Sequence, residues 1–140
     1  MVKGNDGVYI FANLIDINKD GIIEFLALEA FDKMAKRDGG KWDIPKGGID
    51  ADEDPLTCAV RECHEEACIL PKTILAGPMI DGFLYVWIAN TLGYPRVGTN
   101  PKYGIKEHKS VAWLLPDEME RDCFIYLKPF IKWARKELGT

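Results

Sequence analysis

The sequence predicts an α/β protein of the α+β sandwich kind, a mixed β-sheet packed between helices, in one domain spanning residues 1–140. Three observations carry this. Two pairs of strand-like segments each flank an Asp-Gly turn signal, a helical segment lies between the pairs, and an amphipathic helix closes the chain. Paired strands must bury a face against something, so one helix in the middle and one at the end imply helices laid on a sheet. A chain of 140 residues is long enough to do this without disulfides.

The first strand pair runs from Val8 to Ile15 (VYIFANLI) and from Ile22 to Glu29 (IIEFLALE), with Asp20-Gly21 as the turn between them. A polar, glycine-containing loop, KRDGGK, leads into Trp42-Asp43-Ile44-Pro45. From Pro55 to Ala67 the pattern is helical, with Asp54 as N-cap and Pro55 at the first helical position. GPMI and FLYVWIA then flank Asp81-Gly82 as a second hairpin. In its second strand Phe83, Tyr85 and Trp87 alternate with Leu84, Val86 and Ile88, so one face is aromatic and the other aliphatic. A loop from Thr91 to Lys109 precedes a short strand, VAWLL. The closing helix carries Leu127, Phe130, Ile131, Ala134 and Leu138 on its apolar face, with Pro129 in the first turn.

Composition narrows the function classes. The net charge of −4, from 18 basic and 22 acidic side chains, argues against a broad surface for duplex DNA but allows a small basic pocket for phosphates. No stretch approaches the ~20 apolar residues of a membrane span, and the N-terminus lacks the pattern of a cleaved signal. The expectation is a soluble, cytoplasmic protein with no membrane partner; an oligomer is compatible with it. Cys58, Cys63, Cys68 and Cys123 form no C-x-x-C pair, and free thiols are expected.

The segment AVRECHEEAC, residues 59–68, offers two candidate metal-binding sets. On a helix advancing about 100° per residue, Cys58, His64 and Cys68 point in different directions and cannot converge on a tetrahedral zinc. Glu62, Glu65 and Glu66, at i, i+3 and i+4, share one side. Leu56, Ala59, Val60, Cys63 and Ala67 form the stripe beside it, which places Cys63 in the core and leaves the other cysteines incidental. Like charges so arranged destabilise a helix, so this is either a solvated acidic face or a ligand set for a hard cation such as Mg²⁺.

Residues 45–69, PKGGIDADEDPLTCAVRECHEEACI, resemble the Nudix hydrolase signature G-x5-E-x7-R-E-U-x-E-E-x-G-U, where U is a bulky aliphatic residue. Gly47, Glu53, Arg61, Glu62, Glu65 and Glu66 match in register, and Ile69 fills the last apolar position. Two positions depart: Cys63 stands at U, and Cys68 replaces the glycine after the helix, where a left-handed backbone costs a residue with a Cβ about 1 kcal/mol. A distorted helix end that moves Glu66 is therefore expected. WDIPKGGID and the Glu107-His108…Trp113-Leu114 stretch are similar to segments of dinucleoside polyphosphate hydrolases and RNA 5′-end pyrophosphohydrolases of this superfamily.

The resemblance implies a Nudix fold and Mg²⁺-dependent cleavage of a nucleoside diphosphate linked to another moiety, with Mn²⁺ as a substitute cation. The implied substrates are a dinucleoside polyphosphate or an RNA 5′ end, alternatively ADP-ribose, NADH or a diphosphoinositol polyphosphate. It implies Glu62, Glu65, Glu66, Glu107 and a carbonyl around Lys46 or Gly47 as metal ligands. Glu107 is the candidate general base, with Glu65 and Glu66 acting through the metal. Arg61 and Glu53 form an orienting ion pair. Lys46 is a candidate phosphate contact, and Tyr85, Trp87 or Tyr103 a candidate base platform. MIDGF carries no basic residue, which weakens a diadenosine tetraphosphate assignment. His64 and His108 read as surface or structural residues. Two rivals stand beside this: a Nudix-fold protein that binds nucleotides without cleaving them, and a calcium module, because Asp16 to Gly21 opens like an EF-hand loop. The latter's twelfth position is Ala27, where a bidentate Glu belongs.

Overall fold

A computed structural model describes residues 11–18, 22–91 and 93–140. Among the described residues seven strands form one sheet. They are β1 (Phe11–Asn18), β2 (Glu24–Ala30), β3 (Trp42–Asp43), β4 (Lys46–Gly48), β5 (Thr73–Asp81), β6 (Leu84–Thr91) and β7 (His108–Leu114). The order is β3-β2-β1-β6-β5, with β4 beside β1 and β7 beside β2. Pairing is antiparallel except between β1 and β6, whose parallel register makes the sheet mixed, as expected.

Alternation along β2 and β6 sorts the core into two layers. Phe25, Ala27, Val86 and Ile88 face one cluster, completed by Met119, Phe124, Leu127, Phe130, Ile131 and Ala134. Leu26, Leu28, Trp87 and Ala89 face the other, completed by Cys58, Ala59, Cys63 and Ala67. Helix α2 (Pro55–Ala67) covers one face; α3 (Pro116–Asp122), α4 (Lys128–Leu138) and the segment between them, which carries Phe124 and Leu127, cover the other. The expected sandwich is therefore present: Tyr85 and Trp87 of FLYVWIA pack in the α2 layer and Val86 and Ile88 in the α4 layer, whereas Phe83, expected on the aromatic face, precedes β6 and is 53% exposed. Among the described residues no helix is long and apolar enough to cross a membrane.

Helix α2 has the expected limits and start. Asp54 accepts a hydrogen bond from the Thr57 amide at 3.0 Å, and Pro55 opens the first turn. Two helices were not expected. α1 (Asp32–Asp38) buries none of its seven residues, and α3 buries only Met119, so neither writes an apolar period into the sequence. Strands β3 and β4, of two and three residues, are too short to alternate. β5 begins at Thr73, before the expected Gly77, and β7 at His108. Val8–Ile10 and the turn Asp20-Gly21 lie outside the described residues. The EF-hand reading is overturned by its flanks, because β1 and β2 pair as antiparallel strands where that motif requires helices.

Candidate active site

One face of α2 and the turn before it build the site. Arg61, Glu62 and Glu65 are half-buried, and Glu66 is only 9% exposed. β4, held against β1, brings Gly47 so close to Glu62 that a Cβ there would overlap its carboxylate. Only glycine permits that approach. The buried Cys58 lies beneath the same turn, its thiol 3.3 Å from the Gly48 carbonyl. Cys58 is thus a core residue supporting the loop, which corrects the expectation that it is incidental; Cys63 is core as expected.

Arg61 organises the carboxylates. Its Nε and Nη2 donate to the two oxygens of Glu53 at 2.7 and 3.0 Å, a bidentate pair of the expected kind. Its Nη1 donates to Glu62 at 3.0 Å and to Glu65 at 3.2 Å. The Arg61 guanidinium holds Glu53 below the usual carboxylate range. Burial pushes Glu62 up to about 7, with Glu65 and Glu107 adding to the effect against Arg61. Burial, then Asp43, raises Glu66 well above its ordinary value. Glu66 Oε2 accepts from the Lys46 amide at 2.9 Å, which ties the helix to the turn.

Behind Glu66 lies a charged cluster that sequence reasoning missed. Asp43 is 1% exposed, and both its oxygens lie 2.6 Å from Lys46 Nζ. It also accepts from the Ile44 amide at 2.8 Å and stands 3.2 Å from His108 Nε2. Burial opposes ionisation, but Lys46 and His108 hold the Asp43 carboxyl below its usual range. Lys46 Nζ is therefore engaged inside the protein rather than free in a loop, and His108, 3% exposed, is structural rather than superficial. Nothing periodic marks Asp43 in the sequence; a carboxylate beside Trp42 in the glycine turn is the only hint.

The segment between β6 and β7 closes the far side. The Gly98 and Arg96 amides donate to the carbonyls of Glu66 and Ala67 at 2.8 and 2.9 Å, using acceptors that the end of α2 leaves unpaired. A Cβ at Gly98 would meet the Glu65 carbonyl, so a glycine is needed at this crossing. The segment delivers Glu107 to the cleft that Glu62, Glu65 and Glu66 line, and Asn100 Nδ2 donates to Glu107 at 2.8 Å. Outside this point the cleft opens to about 480 Å³ between Gly47, Arg61 and Tyr103.

Nine of the sequence-predicted residues meet around this cleft: Lys46, Gly47, Glu53, Arg61, Glu62, Glu65, Glu66, Tyr103 and Glu107. Tyr85 and Trp87 do not. β6 lies inside the sheet with α2 over this face, so Trp87 is 7% exposed in the core and Tyr85 packs beside it. The helix end is not distorted either. Cys68 takes the left-handed conformation itself, at φ 56° and ψ 33°, and its amide still donates to His64.

The donor set fits a hard divalent cation: carboxylates on one helix face, a close glycine backbone, and another carboxylate opposite. Among the described residues no group of three or more His, Cys, Asp or Glu side chains is drawn together at ligand spacing. Arg61 lies between Glu62 and Glu65, its Nη1 3.0 and 3.2 Å from their carboxylates.

The NUDIX domain family model matches residues 12–134. An RNA pyrophosphohydrolase of Gluconacetobacter diazotrophicus is 62% identical over 56 residues, covering 40% of this chain and 33% of that protein. One from Agrobacterium fabrum is 51% identical over 35 residues, 25% of this chain and 21% of that protein. The matched part thus spans a third or less of these relatives. Among solved structures, a Caenorhabditis elegans Ap4A hydrolase binary complex has a TM-score of 0.70 at 23% identity, covering 92% of this chain and 98% of that one. The MutT protein from Methanosarcina mazei has a TM-score of 0.64 at 20% identity, covering 94% and 96%. These two likenesses speak for the fold, whereas the family model spans nearly the whole sequence, site included: the chain belongs to the NUDIX domain family.

Proposed function

We propose that the protein is a Mg²⁺-dependent Nudix hydrolase that cleaves the phosphoanhydride bond of a nucleoside diphosphate linked to another group, a dinucleoside polyphosphate or an RNA 5′ end. The observation that carries this is the convergence of Glu62, Glu65 and Glu66 with Glu107 beside the Gly47 backbone in one open cleft. The RNA pyrophosphohydrolase relatives support the substrate class. Family members use divalent cations; Mg²⁺ is the reading the all-oxygen donor set favours, with Mn²⁺ as a substitute.

Glu62, Glu65, Glu66 and the Gly47 carbonyl would hold the cation, with Glu107 completing the set or acting as base. When bound, the cation supplies the positive charge without which an anionic polyphosphate resists attack. The Glu53–Arg61 pair keeps the helix face in register with the turn. Glu107 accepts a proton from the water whose oxygen adds to phosphorus, as the bridging P–O bond breaks and the leaving phosphate departs in line. Tyr103, 66% exposed at the cleft mouth, stacks the base. Lys46 acts through its amide on Glu66, its ammonium being held by Asp43.

The test is incubation with Mg²⁺ and a panel of triphosphorylated and capped RNA, dinucleoside polyphosphates, ADP-ribose, NADH and diphosphoinositol phosphates, with products identified by mass. The expected result is phosphoanhydride cleavage in a nucleotide substrate, and at least about a hundredfold loss of kcat in Glu66→Gln. Nucleotide binding with no turnover, or full activity in Glu66→Gln, refutes the reading.

A further inference from the structure

The tip of the segment before β7 is a closed turn built on one side chain. Thr99 pairs with Lys106, the Asn100 amide donates to the Ile105 carbonyl, and the Gly104 amide donates to the Asn100 carbonyl, both at 2.7 Å. Within this frame Asn100 Oδ1 accepts from the amides of Lys102 at 2.8 Å and Tyr103 at 3.2 Å. The same side chain's Nδ2 donates to Glu107 Oε1 at 2.8 Å. The amide orientation follows from its partners: two N–H groups need the oxygen, and a carboxylate needs the NH₂. A hydroxyl or carboxylate at this position could build the turn, as either does elsewhere. Building the turn while donating to Glu107 takes an acceptor and a donor on one short planar group, which is asparagine.

The two ends of this side chain serve different parts of the site. Its oxygen fixes the backbone of Lys102 and Tyr103, which stand over the cleft with the Lys102 ammonium 5.4 Å from the Tyr103 ring centre. Its nitrogen fixes the carboxylate that faces Glu62, Glu65 and Glu66. Glu107 is otherwise an exposed side chain, whose rotamers would spread without an anchor.

We propose that Asn100 is a positioning residue that couples nucleotide recognition to catalysis, setting the Lys102–Tyr103 tip and the Glu107 carboxylate with one amide group. The proposal rests on the function assigned above. A base seated on Tyr103 braces the turn, and the braced turn holds Glu107 toward the reacting phosphate. Asn100 itself touches no reacting atom.

Asn100→Asp and Asn100→Ala separate the two ends. Aspartate keeps the acceptor for the Lys102 and Tyr103 amides but opposes Glu107 with a like charge; alanine loses both bonds. Each variant is assayed for kcat and KM on the best substrate of the panel, and for hydrogen exchange at the Lys102 and Tyr103 amides without metal. For Asn100→Asp, exchange stays slow and KM stays within about twofold, while kcat falls by about tenfold or more. For Asn100→Ala, exchange accelerates and KM rises by about fivefold or more, with kcat lowered as well. Tyr103→Ala raises KM to a similar extent and lowers kcat by about threefold or more, because no seated base braces the turn; an unchanged kcat in this variant overturns the coupling.

Wild-type kcat in Asn100→Asp overturns the link to Glu107. Unchanged exchange or unchanged KM in Asn100→Ala overturns the link to the recognition tip. A wild-type protein that cleaves nothing on the panel refutes the functional reading instead, and the exchange comparison then decides the turn-building claim alone.

Discussion

Replacing Cys68 with glycine tests how this chain ends its central helix. α1 and α4 each finish on a glycine in the left-handed region, Gly39 at φ 69° and Gly139 at φ 71°. α2 finishes on Cys68 in the same conformation. That conformation costs a residue with a Cβ about 1–2 kcal/mol, while glycine loses about 0.5–1 kcal/mol more chain entropy on folding. The Cys68→Gly protein should therefore be more stable by about 0.5–1 kcal/mol. Unfolding entropy near 2.1 cal/mol/K per residue gives about 0.3 kcal/mol/K for 140 residues, so Tm rises by roughly 2–3 °C. Differential scanning calorimetry measures this, with Cys68→Ala as the control that changes the thiol but keeps the strained backbone. Activity should not change, because the amides of Gly98 and Arg96 already pin the helix end. A Tm for Cys68→Gly at or below that of Cys68→Ala refutes the strain argument, and altered kcat refutes the claim that Glu66 is already in place.

Two further outcomes follow from the buried charges. Glu62 is raised to about 7 from 4.5, so between those values the folded metal-free protein keeps a proton that the unfolded chain releases. Its Tm in EDTA should fall as pH rises through that window, Glu66 acting in the same direction, and saturating MgCl₂ should reverse the slope because a cation binds ionised carboxylates. A thermal scan from pH 5 to about 7.5 decides this, and a rising Tm in EDTA would contradict it. Asp43→Ala leaves Lys46 and His108 without their buried partner and should cost about 3 kcal/mol or more, roughly 10 °C in Tm. A loss under about 3 °C would mean that the cluster contributes little to folding.

Much of the site was legible because it is written on one helix. The spacing of Arg61, Glu62, Glu65 and Glu66 needs only 3.6 residues per turn to become a face, and Asp54-Pro55 marks where that face begins. The two faces of β6 were legible for the same reason, with a period of two. Asp43 and Asn100 were not legible, since each earns its place through partners up to 65 residues away or through a turn with no period. Trp87 misled because a strand pattern says which residues share a face but not what covers it.

Local spacing alone thus determined the carboxylate face, the glycine turn, the two strand hairpins and the family they belong to, because helices, turns and strands repeat over a few residues. Tertiary structure decided the rest. It placed α2 over Tyr85 and Trp87, drew Lys46 onto Asp43 and brought Glu107 across to Glu62, since these depend on which elements pack together. It also decided the fate of Cys68: hydrogen bonds from a distant segment help hold the helix end in the conformation glycine would take, with the Cβ strain retained.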